Sequence, residues 1–198
     1  MKQRPIIFNT EMVQAIVDGR KTQTRRALRV QPHVMDTIVG DRLVIKDPLN
    51  VDTYLDFINA KSTSRITRNC QFGEVGDQLY VRETFADSGS RLTYKADKDD
   101  GAHCVVKRWT PSIHMPRSCA RIILEVTNVR VEKVQHISER DAWAEGFEGY
   151  DDDVTGGKSG YSEFCEAWQS IYGEQSWQSN PWVWVIEFKV ISTTGGAA

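Results

Sequence analysis

The stretch ARIILEVTNVRVEKVQHI, residues 120–137, decides the architecture. Valines and isoleucines recur in it with charged residues between them, and neither glycine nor proline interrupts it, which is the pattern of a half-buried strand. It is longer than an ordinary strand of about 5–6 residues. The run therefore predicts one strongly curved strand, or two strands meeting near Asn128. A second apolar run, PWVWVIEFKVI (181–191), predicts the last strand of the chain. Upstream, GDQLYVRETF (76–85), RLTYKA (91–96) and CVVKRW (104–109) read as further strands, the last two separated by the polar turn DKDDGA.

Helices are fewer. Near the N-terminus the short strand Pro5–Phe8 leads to Asn9 or Thr10, either of which can cap a helix. Met12, Val13, Ile16 and Val17 follow at helical spacing, and Gly19 is a natural stop. Ser138 opens SERDAWAEGF (138–147), with Asp141 approximating a capping box and Gly146 closing the helix. In YSEFCEAWQSIYG (161–173), Phe164, Trp168 and Ile171 fall on one face. Residues 31–75 show no clear period and read as an insertion holding one short helix or hairpin; residues 147–160 read as a long acidic, glycine-rich loop. Strands outnumber helices and do not alternate with them as βαβ units would. The prediction is a mainly β, α+β fold: a single domain over residues 1–192, a small and mostly antiparallel barrel with peripheral helices, followed by a flexible tail at 193–198.

Composition narrows the function classes. The chain has 198 residues, 40% hydrophobic and 26% charged, with a net charge of -2. That balance argues against coating nucleic acid by bulk charge, although a local basic patch is compatible with it. No apolar run approaches the roughly 20 residues needed to span a membrane, so no membrane partner is expected. MKQRPIIFNTEM lacks the apolar core of a secretory signal, and the expected location is cytoplasmic. Cys70, Cys104, Cys119 and Cys165 form no CxxC pair, and the four histidines form no HExxH pattern. Reduced thiols and no metal site are the expectation.

Two motifs fail on inspection. TGGKSG (155–160) lacks the first glycine of a phosphate-binding loop, because that position is Asp152 within an acidic run. No GxSxG elbow occurs.

One segment stands out chemically. GRKTQTRR (19–26) places Arg20, Lys21, Arg25 and Arg26 within seven residues, where the first helix ends. It reads as a loop entering a strand, since Thr-x-Thr favours extended backbone. Residue types alone leave three uses open: a solvated cap for the helix carbonyls, a nucleic-acid contact, or part of an enzyme.

The spacing G-x-K-x-x-x-x-R resembles the signature of the ASCH family, a branch of the PUA-like β-barrels. GDQLYVRETF resembles the family's second block and NPWVWVIEFK (180–189) its closing strand. SIHMPRSCARIILEVTNVRVEKVQHIS (112–138) and WQSIYG (168–173) are similar to ASCH-domain proteins often found in bacteriophages and prophages. The resemblance implies a PUA-like barrel whose mouth is lined by Lys21 to Arg26. Many members carry Glu where Thr24 stands here. A bacterial branch with the same GRKT-x-T pattern comprises nucleoside amidohydrolases that remove the acetyl group from acetylcytidine. The catalytic set this implies is Lys21, Thr24 and Glu145, the last within DAWAEG (141–146), with Glu139 or Glu148 as alternatives. The compact branch has no counterpart to residues 31–75 or 147–160, and it implies neither a metal nor an organic cofactor.

The chemistry is consistent with those residue types. Amide hydrolysis needs a nucleophile, a base to activate it, and a group to protonate the leaving amine. Lysine is a base only when neutral, and burial together with nearby cations such as Arg20, Arg25 and Arg26 lowers its pKa. Arg26 can instead bind an oxyanion or a phosphate. In YVRETF, Tyr80, Arg82 and Glu83 are candidates to bind substrate, but Arg82 and Glu83 are neighbours on a strand, so only one faces the barrel mouth. Trp177, Trp182 and Trp184 read as core, or as a stacking platform for a base. Three functions follow: an amidohydrolase acting on a modified pyrimidine nucleoside, a non-catalytic module binding RNA or a modified base, and a ribonuclease. The net acidity favours the small-molecule substrate.

Overall fold

The computed structural model describes residues 1–29, 31, 37–39, 42–46, 54–56, 70–89, 91–98, 101–151 and 156–193. Its spine is a five-stranded sheet ordered β1 (Gln3–Ile7), β6 (Gln78–Arg82), β9 (Ile122–Lys133), β10 (Trp182–Thr193) and β2 (Gln23–Ala27). β1 runs parallel to β6, and every other pairing is antiparallel. The 120–137 stretch forms one strand, not two. Val126 pairs with Phe188 and Asn128 with Glu187, so Thr127 is an extra residue. Such a bulge lets a 12-residue strand bend without breaking its ladder.

Outside this sheet, β7 (Phe85–Asp87) and β8 (Leu92–Tyr94) form a hairpin. β3 (Thr37–Val39), β4 (Arg42–Lys46) and β5 (Tyr54–Asp56) form a separate antiparallel sheet, where the sequence predicts one short helix or hairpin. The helices are α1 (Thr10–Val17), α2 (Glu139–Ala144), α3 (Gly160–Tyr172) and α4 (Glu174–Gln178). The result is an α+β fold dominated by one β-sheet.

Two apolar clusters cover opposite faces of β10. Ile186 and Phe188 pack with Ile6, Phe8, Val13, Ile16 and Leu124. Val183 and Val185 pack with Val134, Ile137, Ala142, Phe164 and Trp168. Val185 and Ile186 are neighbours with 0% exposure each, so the strand is covered from both sides.

Several expectations are corrected. The sheet is open rather than closed into a barrel: β1 and β2 are its two edges and share no backbone ladder. A side chain spans the gap instead, with Arg26 Nη2 donating to the Ile7 carbonyl at 2.6 Å. CVVKRW is not a strand. It finds no partner strand, His103–Val105 makes a 3-10 turn, and only Thr110 beyond it bridges to Phe85. Ile171 is 55% exposed, whereas Phe164 and Trp168 are buried. β10 continues through Ser192 and Thr193, and residues 194–198 lie outside the described residues, as do 152–155 of the long loop. Trp182 is buried and Trp177 packs on Tyr161 and Phe164, so both serve the core rather than a stacking platform. Among the described residues no helix is long and apolar enough to cross a membrane.

Candidate active site

The position of Lys21 follows from the ends of two helices. Asn9 caps α1 by accepting the Met12 N–H at 2.9 Å, and Gly19 takes a φ of 77°, turning the chain back. The Lys21 N–H then donates to the Ala15 carbonyl and the Thr22 N–H to the Ala144 carbonyl. Lys21 is thereby clamped between α1 and the end of α2. α2 is itself fixed by a capping box between Ser138 and Asp141, and Glu145 is its C-cap. Gly146 follows at φ 94°, and a Cβ there would sit 3.0 Å from that of Ala15 and 3.4 Å from that of Lys21. The close approach of these two segments requires glycine.

This geometry buries a charge cluster. Lys21 is 1% exposed, and its Nζ donates to the Glu145 carbonyl at 2.8 Å and to Glu145 Oε2 at 2.9 Å. Glu145 Oε1 accepts from Arg25 Nη1 at 3.2 Å. Arg25 Nη2 lies 3.0 Å from Glu132 Oε2 and 3.4 Å from Asp141 Oδ2. Arg130, further out, contacts Glu132, Asp141 and Glu187, and Gln23 donates to the Asp141 carbonyl. Burial pulls the Lys21 pKa below its ordinary value; Glu145 pushes it back, while Arg26 and Arg25 add to the lowering.

Lys21 and Glu145 are therefore brought together, and the carboxylate partner is neither Glu139 nor Glu148. Glu139 caps α3, accepting the N–H groups of Gly160 and Tyr161 at 2.7 and 3.0 Å. Thr24 is placed differently. Alternation along β2 turns Gln23 and Arg25 toward α2 and β9, and Thr24 and Arg26 to the other face. Thr24 is 2% exposed, and among the described residues no hydrogen bond joins it to Lys21. Arg26 stacks over Phe8, its Cζ 5.1 Å from the ring centroid; Lys21 Nζ is 5.5 Å from the same centroid.

The other candidates gather elsewhere. Tyr80 and Arg82 share one face of β6. The Arg117 guanidinium lies 5.2 Å over the Tyr80 ring, and Arg82 donates to the carbonyls of Met115 and Ile113. Glu83 faces inward, buried, and its two oxygens accept from Arg121 at 2.9 and 3.0 Å. Burial pushes the Glu83 carboxyl up, and Arg121 partly opposes this. Two clefts adjoin the Lys21 segment. One, of ≈ 290 Å³, runs between α1 and α3 and includes Met12, Glu145, Gly146 and Ile171. The other, of ≈ 410 Å³, includes Thr22, Gln23, Arg140, Asp141 and Glu187. Lys21 and Thr24 line neither of them.

Arg25 is the residue whose direct role the sequence reading misses. It enters there only as a cation depressing Lys21, yet it holds Glu145 itself.

No family model matches the chain, and no curated protein matches it. Among solved structures, protein EF3133 from Enterococcus faecalis V583, described by the family model DUF984, is similar over 100% of this chain and 86% of its own. The identity is 12% and the TM-score 0.43, and a likeness at that level carries no argument about the site.

Proposed function

We propose that the chain is an ASCH-type, PUA-like amidohydrolase that removes an acyl group from the exocyclic amine of a modified pyrimidine nucleoside, acetylcytidine to cytidine first. The observation that carries this reading is a fully buried Lys21, depressed in pKa, with the Glu145 carboxylate 2.9 Å from its Nζ. A lysine so placed can shed its proton and act as a base. In this mechanism neutral Lys21 takes the Thr24 hydroxyl proton as Thr24 Oγ1 attacks the acyl carbon. The C–N bond then breaks as that proton passes to the leaving amine, with Glu145 holding the ammonium. Water finally cleaves the acyl-threonine and releases the carboxylic acid. Lys21 Nζ donates to Glu145 and to no hydroxyl of Thr24, so taking that proton requires it to turn from Glu145. No metal is needed.

The test is incubation of the purified protein with acetylcytidine, following cytidine by chromatography. Lys21→Arg and Thr24→Val should each remove most turnover, and the double variant should be little worse, because residues acting as a unit are non-additive. The lack of a hydrogen bond between Thr24 and Lys21 favours a second reading, a non-catalytic module that holds RNA or a modified base. Under it no cytidine is released, and Lys21→Arg retains affinity.

A further inference from the structure

The side chain of Arg25 has no solvent-exposed surface, and that of Glu145 has 3%. The Arg25 guanidinium meets three carboxylates: Glu145 Oε1 at 3.2 Å, Glu132 Oε2 on β9 at 3.0 Å, and Asp141 Oδ2 on α2 at 3.4 Å. Its Cζ also lies 6.0 Å from the ring centroid of Phe164 on α3. Arg25 Nε is buried without a hydrogen-bond partner. Stability alone does not account for such a seat, because replacing a buried ion cluster by apolar side chains of similar volume is often neutral or stabilising.

The outer two carboxylates have a second cation. Arg130 lies 2.5 Å from Glu132 Oε1 and 3.4 Å from Asp141 Oδ1, and these three side chains are between 25% and 28% exposed. Water screens that outer tier, so the charge of Arg25 is left for Glu145. Glu145 then stands between two cations, Arg25 on Oε1 and Lys21 on Oε2, where one suffices. Arg25 keeps its proton under ordinary conditions, whereas a buried ammonium can lose one. The hydrogen bonds of Lys21 fit the neutral form. Among the described residues Nζ has two acceptors, the Glu145 carbonyl and Oε2. A neutral amine has two protons to give them, and an ammonium has a third. The other charges around Lys21 do not hold that third proton. Arg26 repels it, Asp18 pairs with Arg20 and Glu187 with Arg130, Glu139 is taken up by the start of α3, and Glu11, Arg140 and Glu148 are exposed.

We propose that Arg25 is a positioning residue for the candidate site: it fixes the Glu145 carboxylate beside Lys21 and supplies the charge that carboxylate needs, which leaves Lys21 as the cation the pair can release. The proposal rests on the amidohydrolase reading only for the use made of the neutral amine, and it is measured first without substrate. The probe is the side-chain Cε resonance of Lys21 in protein carrying isotope-labelled lysine, assigned by its loss in Lys21→Arg and followed against pH.

Arg25→Gln removes both a repelling cation and the competitor for Glu145, so the Lys21 proton should be held about tenfold more tightly, a rise of about one unit in its titration. Arg25→Met, which fills the buried volume without a charge, should give the same rise. In a Glu145→Gln background the effect of Arg25→Gln should shrink to less than about threefold, because Arg25 then has no carboxylate there to act through. A purely structural role would move Lys21 equally in both backgrounds, and that result overturns the proposal. So does an unmoved titration in Arg25→Gln and Arg25→Met. Denaturant midpoints identify the variants that fold. If neither does, Arg130→Gln decides. It turns the charge of Arg25 outward to Glu132 and Asp141, so the Lys21 titration should rise by a smaller amount, and an unmoved titration overturns the proposal. With acetylcytidine, the pH of half-maximal turnover should climb with the Lys21 titration in Arg25→Gln. Titration shifts without any turnover in the parent would remove the amidohydrolase reading and leave this one standing.

Discussion

Glu145 and Glu83 are both buried carboxylates with both oxygens occupied, yet different cations hold them. Glu83 is gripped by the single fork of Arg121, which also pairs with Asp97 at 2.6 Å and lies 4.0 Å over the Tyr94 ring. Glu145 is divided between Arg25 on one oxygen and Lys21 on the other. A guanidinium keeps its proton under all ordinary conditions, whereas a buried ammonium can lose one. The Glu83 cluster therefore ties β6 to the start of β9, with a single protonation state on its cation. The Glu145 cluster contains a removable proton, and chemistry is assigned there for that reason.

The sharpest break between the two comes from exchanging their cations. On the amidohydrolase reading, Lys21→Arg should lower acetylcytidine turnover by about 10²–10⁴-fold, the usual worth of a general base. Arg121→Lys should leave turnover within a few-fold of the parent. Measured rates that fall equally in both variants would show a shared loss of folding rather than a lost base.

Stability should rank the other way. Glu83→Ala leaves the buried Arg121 charge with Asp97 as its one remaining ion-pair partner among the described residues, and removing one partner of a buried pair costs up to about 3–5 kcal/mol. Replacing both, as Glu83→Met with Arg121→Met, should recover most of that loss, because no charge is then left buried. Denaturant midpoints of the single and double variants check this.

How far this was legible in the sequence depends on whether the signal was local. The first helix, its cap (Asn9 of the two candidates Asn9 and Thr10) and the capping box at Ser138 and Asp141 rest on neighbours within four residues, and they stand in the structure. The bend at Thr127 was foreseen one residue away, as a choice between one strand and two. The Glu145 contact came from a family resemblance and matches the observed pairing with Lys21. What failed was non-local. Nothing near Glu83 announces Arg121, 38 positions away, and two consecutive arginines, Arg25 and Arg26, do not reveal which one faces inward. CVVKRW has strand composition, but a strand needs a partner edge, and none reaches it.

The pH dependence of stability should separate the two clusters by sign. The folded pKa of Lys21 lies below 10.5, so between those values the unfolded chain binds the extra proton and stability rises with pH. The folded pKa of Glu83 lies above 4.5, so there the folded chain holds the extra proton and stability falls as pH rises out of the acid range. Each slope is limited to about 1.4 kcal/mol per pH unit for one proton. Denaturant unfolding across pH should lose its alkaline rise in Lys21→Met and its acid-side fall in the Glu83→Met, Arg121→Met double variant.

The smallest effect tests how the Glu145 cluster is positioned. Glu83 follows directly on a strand of the main sheet, whereas Glu145 ends a helix of only six residues. Such a helix has few hydrogen bonds of its own, so its cap matters out of proportion to its length. The Ser138 hydroxyl accepts the Asp141 N–H at 3.1 Å and donates to Asp141 Oδ2 at 2.8 Å. Burial works against the Asp141 charge, but the Ser138 contacts and Arg25 hold its carboxyl below the ordinary range. Ser138→Ala should cost about 1 kcal/mol of stability. It should also loosen α2 where it presents Asp141 to Arg25 and Glu145 to Lys21. Amide hydrogen exchange should then speed up at Ala142 to Gly146 in Ser138→Ala, with little change at Val81 to Glu83. Equal acceleration at both places would mean that the cap supports the whole fold rather than the Glu145 cluster in particular.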